Sequence, residues 1–270
     1  MKTQLYLNNR RAKQRGLTLI ELVVVLAILV ALAGLIIQNF PGVISRAHTS
    51  TCATTVADVN KLMNYSFETK IKYPDGFDSL LNEDGTTLFS KLPGHAVGTP
   101  IGGATQVTTA TLASGGGAAL AAIGVTKAYK LNENGADATW NSEDLTNAPI
   151  VLTNANVKVA TVTVNYATNL WANEIQAIAN DTATQYVLFG LGSGCTAVGP
   201  SSLIQEAPTH FGDNANMNPY DNYQRYGVVF AVDTDSSTNT TARYVGAVAL
   251  HDDSLGTSEG DIHDYYQVSQ

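Results

Sequence analysis

From Leu17 to Ile37 the chain is apolar apart from Thr18 and one charge, Glu21. No other stretch restricts the possible folds as strongly. A helix of that length measures roughly 30 Å, the thickness of a bilayer's hydrocarbon core. Ahead of it stand Lys2, Arg10, Arg11, Lys13 and Arg15, and no acid. Basic residues beside an apolar span hold that flank in the cytoplasm, so everything after Phe40 is expected on the outer side. Glu21 is the anomaly. A carboxylate inside such a span costs about 2.5–3.5 kcal/mol on insertion scales. A plain anchor gains nothing from it, whereas a subunit that meets a compensating positive charge does.

The run opens Gly16-Leu17-Thr18-Leu19-Ile20-Glu21, after a basic leader and before a long apolar stretch. This order resembles the prepilin signature of type IV pilins and type II secretion pseudopilins. The resemblance implies that a prepilin peptidase cuts between Gly16 and Leu17 and that the new N-terminus, Leu17, is methylated. The family usually has Phe at that first position, where this chain has Leu. It also implies that Glu21 serves assembly with other copies or related pilin subunits. The precursor would sit in the inner membrane as a single-pass protein with a cytoplasmic N-terminus. The assembled filament would reach the periplasm or cell surface, as a pilus-like structure or as a pseudopilus of a secretion system. Two plainer readings compete. A signal anchor explains the length and the flanks but not the order from Gly16 to Glu21. An ordinary signal peptide, cut after Ala31-Leu32-Ala33, would release a soluble exported enzyme or binding domain that starts at Gly34.

The chain has 270 residues and a net charge of −8. Loss of the five basic leader residues would bring the charge to about −13, which suits no phosphate backbone, so no direct nucleic-acid binding is expected. Only 14% of residues are charged, as in exported β-rich surfaces. Cys52 and Cys195 are the only cysteines. Both fall on the outward side, where a disulfide persists, and a Cys52–Cys195 bond would staple helix to sheet.

Three segments are expected: a basic leader over 1–16, a helix over 17–72, and an exported β-rich domain over 73–270. Pro41-Gly42 should kink the helix. Beyond it Val56, Val59, Leu62, Met63 and Phe67 recur at three- and four-residue spacing and form an apolar stripe that faces a sheet. Tyr73-Pro74-Asp75-Gly76 stops the helix. A short helix is expected at Phe77–Leu81 or Thr87–Lys91. Residues 97–124, rich in Gly, Ala and Thr, read as a loosely ordered insertion, with a short helix over Ala118–Ile123 as the competing reading. Strands are expected at Ile150–Leu152, Val157–Tyr166, Tyr186–Leu191, Tyr226–Val232 and Arg243–Leu250, the last two as an antiparallel hairpin. Leu170–Asn180 reads as helical, and the acidic tail from His251 to Gln270 as a loop. The fold class is α+β, a long kinked N-terminal helix packed on an antiparallel sheet, similar to the pilin fold.

Little in the chain suggests catalysis. Gly190-Leu191-Gly192-Ser193-Gly194 lacks the spacing of a nucleotide fingerprint and reads as a turn. Asp233-Thr234-Asp235 does not continue into a calcium loop, because Thr238 and Tyr244 stand where such a loop needs Gly and Glu. In the acidic tail, Asp252, Asp253, Asp261 and Asp264 are candidate calcium ligands, but a solvated surface comes first. No other cofactor is expected, and no Ser-His-Asp or Cys-His arrangement is readable.

Overall fold

The chain divides after Ile44 into two units, and all the described strands lie in the second. Both units are described here from a computed structural model covering residues 18–37, 40–90, 92, 107–131, 148–163, 184–209, 223–233, 240–250 and 255–256. In the first unit, α1 (Leu19–Ile37) is 19 residues long. Every large apolar side chain from Leu19 to Leu32 is at least half exposed. A helix that is apolar all round belongs in apolar surroundings. Its side chains are described as far as Gly34, and among the described residues no helix is long and apolar enough to cross a membrane.

The second helix, α2 (Phe40–Lys70), carries Pro41 in its first turn, where a missing N–H breaks no helical bond. Residues 38 and 39, across which one continuous kinked helix is expected, fall outside the described residues. Along α2 the buried stripe is Cys52, Val56, Val59, Met63 and Ser66, a four-three repeat that keeps one face towards the sheet. Phe67, expected in the stripe, instead stacks on Tyr73 with ring centroids 4.7 Å apart. The helix ends where Ile71 turns left-handed (φ 56) and donates its N–H to Phe67 O.

Among the described residues the sheet holds nine strands: β1 (Phe77–Asp78), β2 (Val107–Thr111), β3 (Lys127–Tyr129), β4 (Ile150–Val151), β5 (Lys158–Val162), β6 (Thr184–Gly190), β7 (Tyr226–Asp233), β8 (Thr241–Leu250) and β9 (Leu255–Gly256). Their order is β4-β3-β1-β6-β7-β8-β9, with β5 also on β6 and β2 on β5. The α+β class stands. The expected all-antiparallel sheet does not, since β1 and β3 run parallel. The hairpin of β7 and β8 forms as expected, interrupted between Val229 and Phe230 by an irregularity in register. Both faces are covered. On one, α2 packs its stripe against Val187, Phe189, Tyr226, Val228 and Phe230; on the other, Leu80, Phe89, Tyr186, Leu188, Val229 and Val248 form a second core. A polar pin fixes α2 across the first face. Asn60 Oδ1 accepts from Tyr244 Oη at 2.6 Å and from the Ala247 N–H at 2.9 Å, just past the irregularity.

Three further expectations need correction. Phe77–Asp78 is strand, and neither short helix at Phe77–Leu81 or Thr87–Lys91 forms, because Leu81 bridges back to Leu88. The small-residue stretch is not a loose insertion over its described part. It supplies β2 and a buried helix, α3 (Gly116–Ala122). Small residues make that packing possible: a methyl on Gly117 would strike Leu152 O. The tail contributes edge strand β9 on β8. The helix expected at Leu170–Asn180 lies outside the described residues.

Candidate functional site

The first turn of α1 is built by a reciprocal cap. Thr18 precedes the helix, and its backbone N–H and its Oγ1 donate to Glu21 Oε2 at 2.8 and 2.9 Å. In return, the Glu21 N–H donates to Thr18 Oγ1 at 3.4 Å. This is the arrangement in which a Thr and a Glu three residues later each satisfy an orphan donor of the other. Glu21 therefore has a local role that the charge argument alone overlooked. The signal was present as Thr-x-x-Glu ahead of an apolar run. Gly16 and Leu17, the residues of the expected cut, lie outside the described residues. Ala33, the other expected cut, lies inside α1.

The glycine run after β6 serves the protein's own interior. A methyl on Gly190 would strike Tyr223 Oη, and one on Gly192 would strike the Asp78 carboxyl. The run makes room for a buried polar cluster that sequence reasoning did not find. Tyr223 Oη donates to Asp78 Oδ2 at 2.6 Å, and Arg225 Nη1 stands 3.6 Å from the same oxygen. All three side chains are buried. Burial pushes the Asp78 carboxyl up to about 6, against the pull of Arg225 and the Tyr223 hydroxyl. Burial, with the charge of Asp78 beside it, drives the Tyr223 hydroxyl well above its ordinary value. No surface opening is needed for such a cluster, whose partners lie 145 residues apart in sequence. It ties β1 to the start of β7.

Cys52 and Cys195 are both buried and are not joined to each other in this structure, so the expected disulfide is not shown. Cys52 Sγ instead accepts from Tyr226 Oη at 3.7 Å. The Cys195 thiol, in the turn after β6, is pushed up to about 12 by burial. Both sulfurs act as apolar filler in the core beneath α2, the usual behaviour of buried Cys. Asp75 supplies a staple at the end of α2. Its carboxylate accepts from the N–H groups of Thr126 (2.8 Å) and Lys127 (3.0 Å) and from the Thr126 hydroxyl. Among the described residues no cluster of His, Cys, Asp and Glu could hold a metal ion. Asp252, Asp253, Asp261 and Asp264 lie outside those residues.

An exposed apolar helix with a carboxylate held in its own cap, ahead of a separately packed α+β unit, defines a chain whose N-terminal segment is the specialised part. Residues 11–37 match the family described as the prokaryotic N-terminal methylation motif. The segment is thus the prepilin-type motif of type IV pilins and pseudopilins. No curated protein and no solved structure matches the chain.

Proposed function

We propose that this chain is a structural subunit of a type IV pilus-like filament, held in the inner membrane by α1 before assembly. The observation that carries the reading is the motif over 11–37 continuing into a helix that is exposed and apolar on every side. The apolar run of the sequence, Leu17 to Ile37, reaches beyond the described side chains at both ends, and as a helix it would extend roughly 30 Å, close to the hydrocarbon thickness. Prepilin peptidase cuts between Gly16 and Leu17, and Leu17 is methylated. The mechanism is packing, with apolar helices bundled inside the filament and the sheet units outside, and the chain catalyses no reaction of its own. The sheet buried on one side by α2 supports a pilin-like head. A pseudopilin of a secretion system shares every one of these features; gene neighbourhood and electron microscopy of the cell surface separate the two.

The cut is tested by mass spectrometry of the N-terminus of the exported chain. A start at methylated Leu17 is expected, and Gly16→Leu should leave the precursor uncut in the membrane. A start at Gly34 would replace this reading with a secreted soluble domain.

A further inference from the structure

Between the end of α2 and the loop that follows β6 lies a cavity of about 250 Å³. Its walls include Ser66, Lys70, Tyr73, Thr196, Ser201 and Ser202. In a chain of net charge −8, no carboxylate is among the described residues of this lining. Lys70 makes no ion pair among the described residues. Thr196 Oγ1 accepts from the Asp75 N–H at 2.9 Å, so its own hydrogen remains to be donated. Only Ser66 has its hydroxyl hydrogen committed, to Lys72 O at 3.1 Å. The lining therefore offers an ammonium, a phenol and several hydroxyls, and the carboxylate of adjoining Asp75 is engaged by Thr126 and Lys127. The space is below the ~300 Å³ at which pockets for drug-sized ligands begin, so it admits one small group. The negative pole at the end of α2 opposes an anion there, and Lys70, in that last turn, is the residue type that offsets the pole.

We propose that this cavity binds a small tetrahedral oxyanion of the phosphate class. Such a group has four acceptor oxygens and fits a wall of donors around a single lysine. The binding would be independent of filament assembly, because the cavity lies wholly in the second unit.

The test is isothermal titration of the full-length chain in neutral detergent micelles, at fixed ionic strength held with chloride. Inorganic phosphate and glycerol 3-phosphate are titrated separately. Saturable binding is expected in the wild type. Lys70→Gln should weaken it about tenfold or more, the size of a lost charged hydrogen bond. Lys61→Gln removes a lysine that pairs with Asp58 elsewhere on α2, and should leave affinity unchanged. Lys70 and Lys61 are surface residues of one helix, and equal unfolding temperatures of the two variants would show that neither has lost the fold. Tighter binding of glycerol 3-phosphate would assign the site to a phosphate ester such as a lipid headgroup, and tighter binding of inorganic phosphate to the free anion. Either supports the proposal. No saturable binding of either probe, or an equal loss in Lys70→Gln and Lys61→Gln, would overturn it.

Discussion

Asp78 is fully buried, and its carboxyl titrates near 6 because burial disfavours the charged form. An unfolded chain returns it to about 3.9. A folded value above the unfolded one means that the native state holds the proton more tightly. The stability so contributed is complete below about pH 4 and is lost as pH rises through 6. The span corresponds to no more than about 3 kcal/mol, after the opposing pull of Arg225 and Tyr223 on the carboxyl. Unfolding temperature should therefore fall between pH 4 and pH 6, and Asp78→Asn should flatten that part of the profile. Wild type and variant profiles of equal slope would remove Asp78 as the cause. Thr18 makes a second test at this scale. Thr18→Val keeps the shape and loses the hydroxyl that both donates to and accepts from Glu21. The first turn of α1 should lose about 1 kcal/mol, read as faster amide exchange at Leu19 to Leu22 in micelles, and Thr18→Ser should restore it.

Among the elements, α2 was the most legible in the sequence. The spacing of Val56, Val59 and Met63 marks its buried face, since helical period is a local property. The pin that fixes its position on the sheet was not legible. Asn60 meets Tyr244 and Ala247, 184 and 187 residues later. Asn60→Ala leaves both donors without that oxygen and should destabilise the chain by about 2 kcal/mol. Asn60→Asp, which keeps the acceptor, should lose less; the urea midpoint measures both. β6, β7 and β8 could be read because each is a long, mostly apolar run that carries Val with Tyr or Phe. β1 and β3 could not, being two and three residues long and held by pairing with each other, with β4 and with β6. Of the run expected to be a turn, Ser193 and Gly194 do form one, whereas Gly190 closes β6. The reason for Gly190 and Gly192, room for Tyr223 and Asp78, came from residues distant in sequence. α3 was misjudged as loose because small residues suggest flexibility, yet here they let backbone approach backbone.

At the scale of the molecule, Glu21 joins the two units' separate roles. We expect Glu21→Ala to accumulate in the membrane as a cut subunit, with few or no filaments by electron microscopy. The sheet unit should keep its unfolding temperature, because it shares no hydrogen bond with Glu21 among those described. Glu21→Gln keeps the cap's acceptor and loses the charge, so it separates capping from charge pairing. Abundant normal filaments from the Ala variant would remove Glu21 from assembly. The order of the strands has a consequence for how the second unit comes into being. β1 is the first strand to be synthesised, yet it lies between β3 and β6, and Asp78 pairs with Gly190. The strand laid down earliest thus has no neighbour until the ribosome has made residues far downstream. Closing such long loops before any pairing is formed slows folding. The chain consequently spends much of its synthesis with α2's apolar face uncovered, and that interval, more than the finished fold, is when its apolar surface is open to self-association.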